Sequence, residues 1–223
     1  MQKSPEQDSP RLTTLLSPAV RDCLSCYEEK RQYQRGQTIY AEGDEAHTMM
    51  LVHTGSVRVS RMTVDGRQLI AGVFGPGHCV GLVGLLTGKR DQDVIAVDAV
   101  TVGFVSREAF DIALKSRPEF AAELLPVVIN RLRAAVTFID DLKNGSTVVL
   151  TAGVIEQLLE ASDNPNVIAW NQSDIAHVAG SSRVSVGKAL KELEQRQLIK
   201  LGYGQIEVPD VHRLTEWLRE QRR

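Results

Sequence analysis

The chain has 223 residues, and 26 lysines and arginines against 28 aspartates and glutamates give it a net charge of −2. Its 43% hydrophobic and 24% charged residues are ordinary for a soluble globular protein and exclude wholesale disorder. No apolar run reaches the ~20 residues of a membrane helix, and three cysteines are too few for a disulfide scaffold. We therefore expect a cytoplasmic protein without a membrane partner.

Residues 31–105 are dense in glycine and β-branched residues, which is typical of many short strands. Asp65-Gly66 predicts a tight hairpin, because both central residues of that turn adopt positive φ. Strands at such regular spacing predict an antiparallel β-barrel or β-roll. The stretches expected to be strands are Met50–Val52, Val57–Val59, Leu69–Ala71 and Thr101–Val105.

A helical region follows. Ser106 is expected to cap a short helix that runs to about Lys115, and Pro118 suits the first turn of the next helix. Pro126 inside that second helix predicts a kink or a late start.

The second helix carries a heptad seam, with apolar residues at spacings of 3, 4, 3, 4 and 3. Such a seam needs a partner helix. The polar flanks favour a second copy of the chain, and packing on the protein's own β-barrel is the alternative. The seam consists of Leu125, Val128, Leu132, Ala135, Ile139 and Leu142.

After a break at residues 144–146, which we interpret as a hinge, a second motif begins at Trp170. Asn171 can cap a short helix, Gly180 permits a tight turn, and Ser181 or Ser182 can cap a second helix. Two short helices joined through a glycine turn form a helix-turn-helix. In that motif the start of the second helix meets base edges in the major groove.

The residues of the second helix suit DNA. Arg183 can donate two hydrogen bonds to guanine, and the stretch from Arg183 to Lys200 holds five cations against two acids. Strand-like segments around Gly202-Tyr203-Gly204 predict a β-hairpin wing. A solvated helix face would explain any one of these residues, but their combination favours a double-stranded, pseudo-palindromic operator. The expected DNA contacts are Gln172, Ser181, Ser182, Arg183, Val184, Ser185, Lys188, Lys200 and Tyr203.

Over about residues 15–220 the order of these parts resembles the CRP/FNR family of bacterial transcription regulators. The resemblance lies in Gly36–Asp44, Thr54–Val59, Phe74–Gly81 and Gly180–Leu190. It implies an α+β fold with an N-terminal antiparallel β-roll (a jelly-roll-like double-stranded β-helix), a long dimerisation helix and a C-terminal winged helix-turn-helix. The expected division is a mobile tail (1–14), a β-roll sensor (15–116), a dimerisation helix (117–143) and a DNA-binding domain (144–223).

The sequence departs from family members that bind cyclic AMP. Where those members have Gly-Glu-Leu, Leu82 takes the place of the glutamate, and Asp91 replaces the serine of their Arg-Ser pair. Their base-contacting hydroxyls are also replaced. We therefore expect a degenerate pocket without a cyclic-AMP response, occupied by an apolar or organic ligand or by none. Its expected residues are Leu82, Val83, Leu85, Arg90, Asp91, Ala135 and Val136.

The second helix of the helix-turn-helix departs from the family pattern at one position. Arg183 matches the family's guanine-reading arginine, and Lys188 stands where an arginine is common. Val184 stands where the family usually has a glutamate that reads cytosine. A valine can contact a thymine methyl, so we expect the operator to differ there.

The cysteines and histidines offer other sensing chemistries. Cys23 and Cys26 share a helix face and, with Cys79, are candidates for a redox switch, although free cysteines are usually small buried residues. Family members with an iron–sulfur cluster have a third N-terminal cysteine that is absent here, so we expect no cluster. Haem stays open as a cofactor, with potential ligands at His47, Met49, Met50, His53 and His78.

Two other functions compete with DNA binding. A cupin-like metal-binding β-barrel enzyme needs a His-x-His pair near a glutamate, whereas His47 and His53 are six residues apart. We expect neither an enzyme nor a metal site. A winged helix that binds a protein partner is the second rival. The preferred hypothesis is a homodimeric, sequence-specific DNA-binding regulator for which RNA polymerase is a possible further partner.

Overall fold

The computed structural model describes residues 17–62, 68–162, 164 and 166–222. Contacts divide the chain into two compact units. One contains the described residues up to Val57 together with Phe74–Ala134, and the other contains Arg58–Val73 and the chain from Ala135 onward. The helices are α1 (Pro18–Ser25), α2 (Leu82–Thr87), α3 (Arg107–Ser116), α4 (Glu119–Asn144), α5 (Thr147–Ala161), α6 (Gln172–Val178), α7 (Arg183–Gln195) and α8 (Val211–Gln221).

The strands form two four-stranded sheets and one three-stranded sheet, in the orders β1-β8-β3-β6, β2-β7-β4-β5 and β10-β11-β9. The registers that are resolved between strands are all antiparallel. The strands are β1 (Glu29–Tyr33), β2 (Thr38–Tyr40), β3 (Thr48–Thr54), β4 (Val57–Met62), β5 (Gln68–Phe74), β6 (Cys79–Val80), β7 (Asp93–Ala96), β8 (Val100–Ser106), β9 (Val167–Ile168), β10 (Lys200–Gly202) and β11 (Gln205–Glu207).

The four strands expected from the sequence are present as β3, β4, β5 and β8, which confirms the antiparallel, β-rich first half. The hairpin turn expected at Asp65-Gly66 lies outside the described residues. Strand β3 pairs with both β8 and β6, and the β3–β8 register shifts between Val52 and Thr54. Four consecutive residues are buried in β3 (49–52) and four in β8 (102–105), so both faces of these two strands are covered.

Helix α4 packs one face on the core of the first unit. Its Phe120 and Leu124 are buried there, and the Phe120 ring meets Phe110 of α3 edge-on at 5.5 Å. Ser106 caps α3 as expected, because its hydroxyl accepts from the Ala109 amide at 3.1 Å. Of the two alternatives expected at Pro126, a kink or a late start, the late start is wrong, since α4 begins at Glu119 and continues through the proline.

The second unit contains the helix-turn-helix. Ser146 caps α5, and the backbone between α4 and α5 leaves the helix at 145–146 as the sequence indicated. The wing is the β10–β11 hairpin, and β9 adds a third strand that the sequence analysis did not predict. Among the described residues, no helix is long and apolar enough to cross a membrane.

Candidate nucleic-acid interface and effector region

The turn that leads into α7 is fixed by local hydrogen bonds. Gly180 adopts φ +59°, a conformation that L side chains rarely take, and the Ser181 amide donates to the Ala176 carbonyl at 3.0 Å. The Ser182 hydroxyl then caps α7, accepting from the Ser185 amide at 3.1 Å. Residues 182–184 are thereby held at the exposed start of the helix.

The outer face of α7 carries the side chains expected to read bases. Its inner face is buried through Val186, Ala189, Leu190 and Leu193. Arg183 and Lys188 are exposed, and Val184 is 69% exposed although it is apolar. Among the residues that the structure describes, none buries that valine, which leaves its side chain open to an external partner.

Gln172 lies against the recognition helix. A β-carbon on Gly187 would come within 3.3 Å of the Gln172 side-chain oxygen, so the missing side chain at Gly187 makes room for that amide. The N-terminus of α6, where Asn171 accepts from the Ser173 and Asp174 amides, therefore holds Gln172 beside α7.

Two of the five expected cations are neutralised locally. Arg196 pairs with Glu192 at 2.7 Å, and Lys200 pairs with Glu207 at 3.3 Å across the wing. Among the described residues, no ion pair involves the remaining cations, which are Arg183, Lys188 and Lys191. All three are exposed and available for phosphate or base contacts.

The wing is attached to α7 by a contact that the sequence did not reveal. The Leu201 amide donates to the Glu194 carboxylate at 2.8 Å. Tyr203 is fully exposed at the wing tip, next to Gly204 with φ +68°. Of the remaining expected contacts, Ser181 and Ser185 are half-buried at the helix start, and the Lys200 ammonium is held by Glu207.

The seam of α4 is exposed in the isolated chain. Leu132 is 65% exposed, and its neighbours along the same stripe are about half exposed or more. This exposure favours a second copy of the chain over the alternative, which is packing on the protein's own β-roll. Its exposed large members are Leu125, Val128, Ile129, Leu132, Val136, Ile139 and Leu142.

In the β-roll, Arg90 is buried and engaged by its own chain. Its guanidinium carbon lies 3.4 Å from the centre of the Tyr40 ring, and Nη2 donates to the Thr48 carbonyl at 2.6 Å. Nη1 lies 3.3 Å from the Gly81 carbonyl. Burial raises the pKa of Tyr40 to about 12 and lowers the pKa of Arg90.

The space for Arg90 depends on glycine. A β-carbon on Gly81, which has φ +88°, would stand 2.8 Å from Arg90 Nη1 and 3.0 Å from the Tyr40 ring. The other expected pocket residues point different ways. Leu85 lies in the core with Leu82 packed against it, Val83 and Asp91 face solvent, and Ala135 and Val136 are exposed on α4.

The cysteines differ in environment. Cys79 is fully buried beside Met49, with its thiol 3.6 Å from the methionine sulfur, and burial raises the pKa of Cys79. A raised pKa disfavours the reactive thiolate, so Cys79 behaves as a core residue. Cys26 is exposed, and the side chain of Cys23 lies outside the described residues.

The potential haem ligands are dispersed. His47 is exposed and pairs with Glu45 at 3.0 Å, whereas His53 pairs with the buried Glu28 at 2.9 Å. His78, Met49 and Met50 are buried in the core. Within the described parts of the chain, no group of three or more histidine, cysteine or acidic residues is arranged to hold a metal ion.

Comparison with family models matches both halves of the chain. Residues 30–117 match the cyclic nucleotide-binding domain, and residues 153–217 match the Crp-like helix-turn-helix domain. The chain belongs to the CRP/FNR family of transcription regulators. This confirms the family, the fold class and the class of function that the sequence motifs indicated.

Curated relatives of this CRP/FNR regulator span nearly its whole length. It is 28% identical to the cyclic AMP receptor protein of Thermus thermophilus, over 90% of this chain and 93% of that protein. It is 27% identical to a CRP-like cAMP-activated global transcriptional regulator of Mycobacterium tuberculosis, over 90% and 92%. Its fold is similar to that of FixK2 from Bradyrhizobium japonicum, with a TM-score of 0.73 and 23% identity over 85% of this chain and 96% of that chain. The relatives are transcription regulators rather than enzymes.

Proposed function

We propose that this CRP/FNR regulator is a homodimer that reads a specific operator through α7 and acts without cyclic AMP. The observation that carries the proposal is the start of α7, where Arg183, Val184 and Lys188 are exposed together on a capped helix. A guanidinium suits guanine, an ammonium suits phosphate, and an exposed valine suits a thymine methyl.

A second copy of the chain is the partner that fits the α4 stripe. The stripe is continuous, apolar and exposed over more than four helical turns, from Leu125 to Leu142. A two-fold dimer buries it against itself and presents two copies of α7 to successive major grooves, ~34 Å apart. Because only three of the five cations between Arg183 and Lys200 lack an ion-pair partner among the described residues, we expect moderate affinity for non-specific DNA and joint action of the two copies of α7.

Independence from cyclic AMP is supported by the surroundings of Arg90. The Tyr40 ring covers one face of the guanidinium, and the Thr48 and Gly81 carbonyls accept from it. A cyclic phosphate would have to displace these contacts. The two relatives named above carry cyclic AMP in their names, but this chain has Leu82 and Asp91 where cyclic-AMP-binding members carry Glu and Ser.

Selection of binding sites from random double-stranded DNA tests the function directly. We expect the purified protein, without added nucleotide, to select a two-fold symmetric site whose half-sites lie about one helical turn apart. Each half-site is expected to contain an invariant guanine with a thymine nearby. Failure to enrich any sequence above the input pool contradicts DNA reading and favours the protein-binding alternative.

A nucleotide titration tests the effector part. We expect 1 mM cyclic AMP to leave both the unfolding temperature and the operator affinity unchanged, with 1 mM AMP as the matched control. A ligand bound with micromolar Kd would stabilise the protein by about 4 kcal/mol at that excess. For a protein of this size that corresponds to about 10 °C. A stabilisation of this size by cyclic AMP and not by AMP contradicts the proposal.

A further inference from the structure

An ion-pair cluster joins three helices within the second compact unit. Arg222, directly after α8, donates from Nη2 to Asp141 of α4 at 2.7 Å and from Nε to the same carboxylate at 3.1 Å. Its Nη1 lies 3.7 Å from Glu156 of α5. The paired geometry with Asp141 is the bidentate one that gives arginine–carboxylate pairs both strength and direction.

The cluster is sheltered from water. The Asp141 side chain is 6% exposed, and the side chains of Arg222 and Glu156 are 27% and 21% exposed. A carboxylate so deeply buried needs its cationic partner, because an unpaired buried charge is strongly unfavourable. Thr215 of α8 also donates its hydroxyl to Glu156 at 2.7 Å, so Glu156 of α5 is contacted by both Thr215 and Arg222.

Gly153 makes the arrangement possible. It lies inside α5, and a β-carbon there would come within 2.7 Å of Arg222 Nη2 and 3.5 Å of an Asp141 oxygen. Glycine is among the poorest residues for a helix interior. The absent side chain is what lets the guanidinium cross the surface of α5 to reach α4.

The ion-pair cluster connects the two sides of the hinge, the break at residues 145–146 between α4 and α5. Asp141 lies in the last turn of α4, its carbonyl accepts from the Gly145 amide at 2.9 Å, and α5 begins at Thr147. Arg222 therefore bridges across the 145–146 break, from the end of the winged helix to the end of the long helix. Rotation about the hinge would separate Arg222 from Asp141.

We propose that Arg222, Asp141 and Gly153 form a latch that fixes the winged helix on the end of α4, which makes Arg222 a positioning residue for DNA reading. The effect of the latch on operator binding rests on the proposed function. The effect of the latch on the mobility of residues 145–146 does not depend on that function. With the latch closed, both α7 helices of a dimer keep one orientation; with it open, only a fraction of dimers present both heads correctly, and the apparent affinity falls by that fraction.

Two variants open the latch by different routes. Arg222→Gln removes the cation, whereas Gly153→Ala keeps both charges and displaces the guanidinium. Arg219→Gln, which removes an exposed arginine of α8, is the matched control. We expect the first two variants to show about tenfold faster hydrogen exchange at the 145–146 amides and about tenfold weaker operator binding, with sedimentation as a dimer unchanged.

The Gly153→Ala variant distinguishes the latch from an effect on helix stability alone. Alanine favours a helix over glycine, so a merely structural role predicts slower exchange, and the latch predicts faster exchange. The double variant Arg222→Gln/Gly153→Ala is expected to match Arg222→Gln, because both changes break one contact. Wild-type exchange in Arg222→Gln, or equal acceleration in Arg219→Gln, overturns the latch. A wild-type protein that binds no DNA overturns the proposed function instead, and the exchange measurement still decides the latch.

Discussion

Leu132→Glu is expected to convert the protein to a monomer at micromolar concentration and to abolish tight operator binding. Leu132 is the most exposed large residue of the α4 stripe, so the free monomer should tolerate the glutamate without losing its fold. Burying a leucine side chain contributes about 1.5–3 kcal/mol. A two-fold interface buries it twice, for about 3–6 kcal/mol, or roughly two to four powers of ten in the dimer dissociation constant.

Sedimentation velocity measures the outcome, with circular dichroism to verify folding. The matched control is Leu86→Glu, since Leu86 of α2 is also an exposed leucine but lies outside the stripe. We expect that control to remain a dimer. A Leu132→Glu protein that still sediments as a dimer at micromolar concentration would show that the stripe is not the dimer interface.

Arg183→Ala is expected to weaken operator binding by about 1–3 kcal/mol for each half-site, as for a lost bidentate contact to guanine. The lost affinity should be specific for the half-site guanine. The variant should bind the operator and a version with the half-site guanine replaced about equally well, whereas the wild type should discriminate between them. Fluorescence anisotropy on the two duplexes measures both effects at one stated salt concentration.

Neighbouring substitutions supply the controls for Arg183. Lys188→Ala is expected to weaken binding to all sequences and to reduce the slope of affinity against salt by about one per contact. Val184→Ala is expected to reduce the preference for a thymine over deoxyuridine, which lacks only the methyl group. If Arg183→Ala leaves the operator affinity unchanged, the assignment of α7 as the reading helix is wrong.

Local sequence signals predicted most of the helix-turn-helix. Asn171, Gly180 and Ser182 set the helix-turn-helix, because caps and positive-φ turns depend on a few adjacent residues. The heptad spacing likewise marked the stripe of α4, although its Pro126 suggested a late start that the helix does not have. Packing of Phe120 and Leu124 on the core holds the first turns of the helix despite the proline.

Contacts between residues far apart in the chain were not predictable in this way. Arg222 and Asp141 are 81 positions apart, and nothing in either local sequence indicates a pair. The sequence pointed to Arg90 only through the family resemblance, and its partners Tyr40 and Thr48 come from β2 and β3. The wing was expected as two strands, and its third strand β9 is too short to show a period.

The sequence by itself determined the family, the order of the parts and the position of the helix-turn-helix, because these follow from periodicity, caps and turn residues within short windows. The tertiary structure decided which charged side chains stay exposed and free to contact a partner. It paired Lys200 with Glu207 and placed Arg90 against Tyr40, while leaving Arg183 and Lys188 exposed. Charge pairing depends on distances of a few ångströms across the fold, and only packing sets those distances.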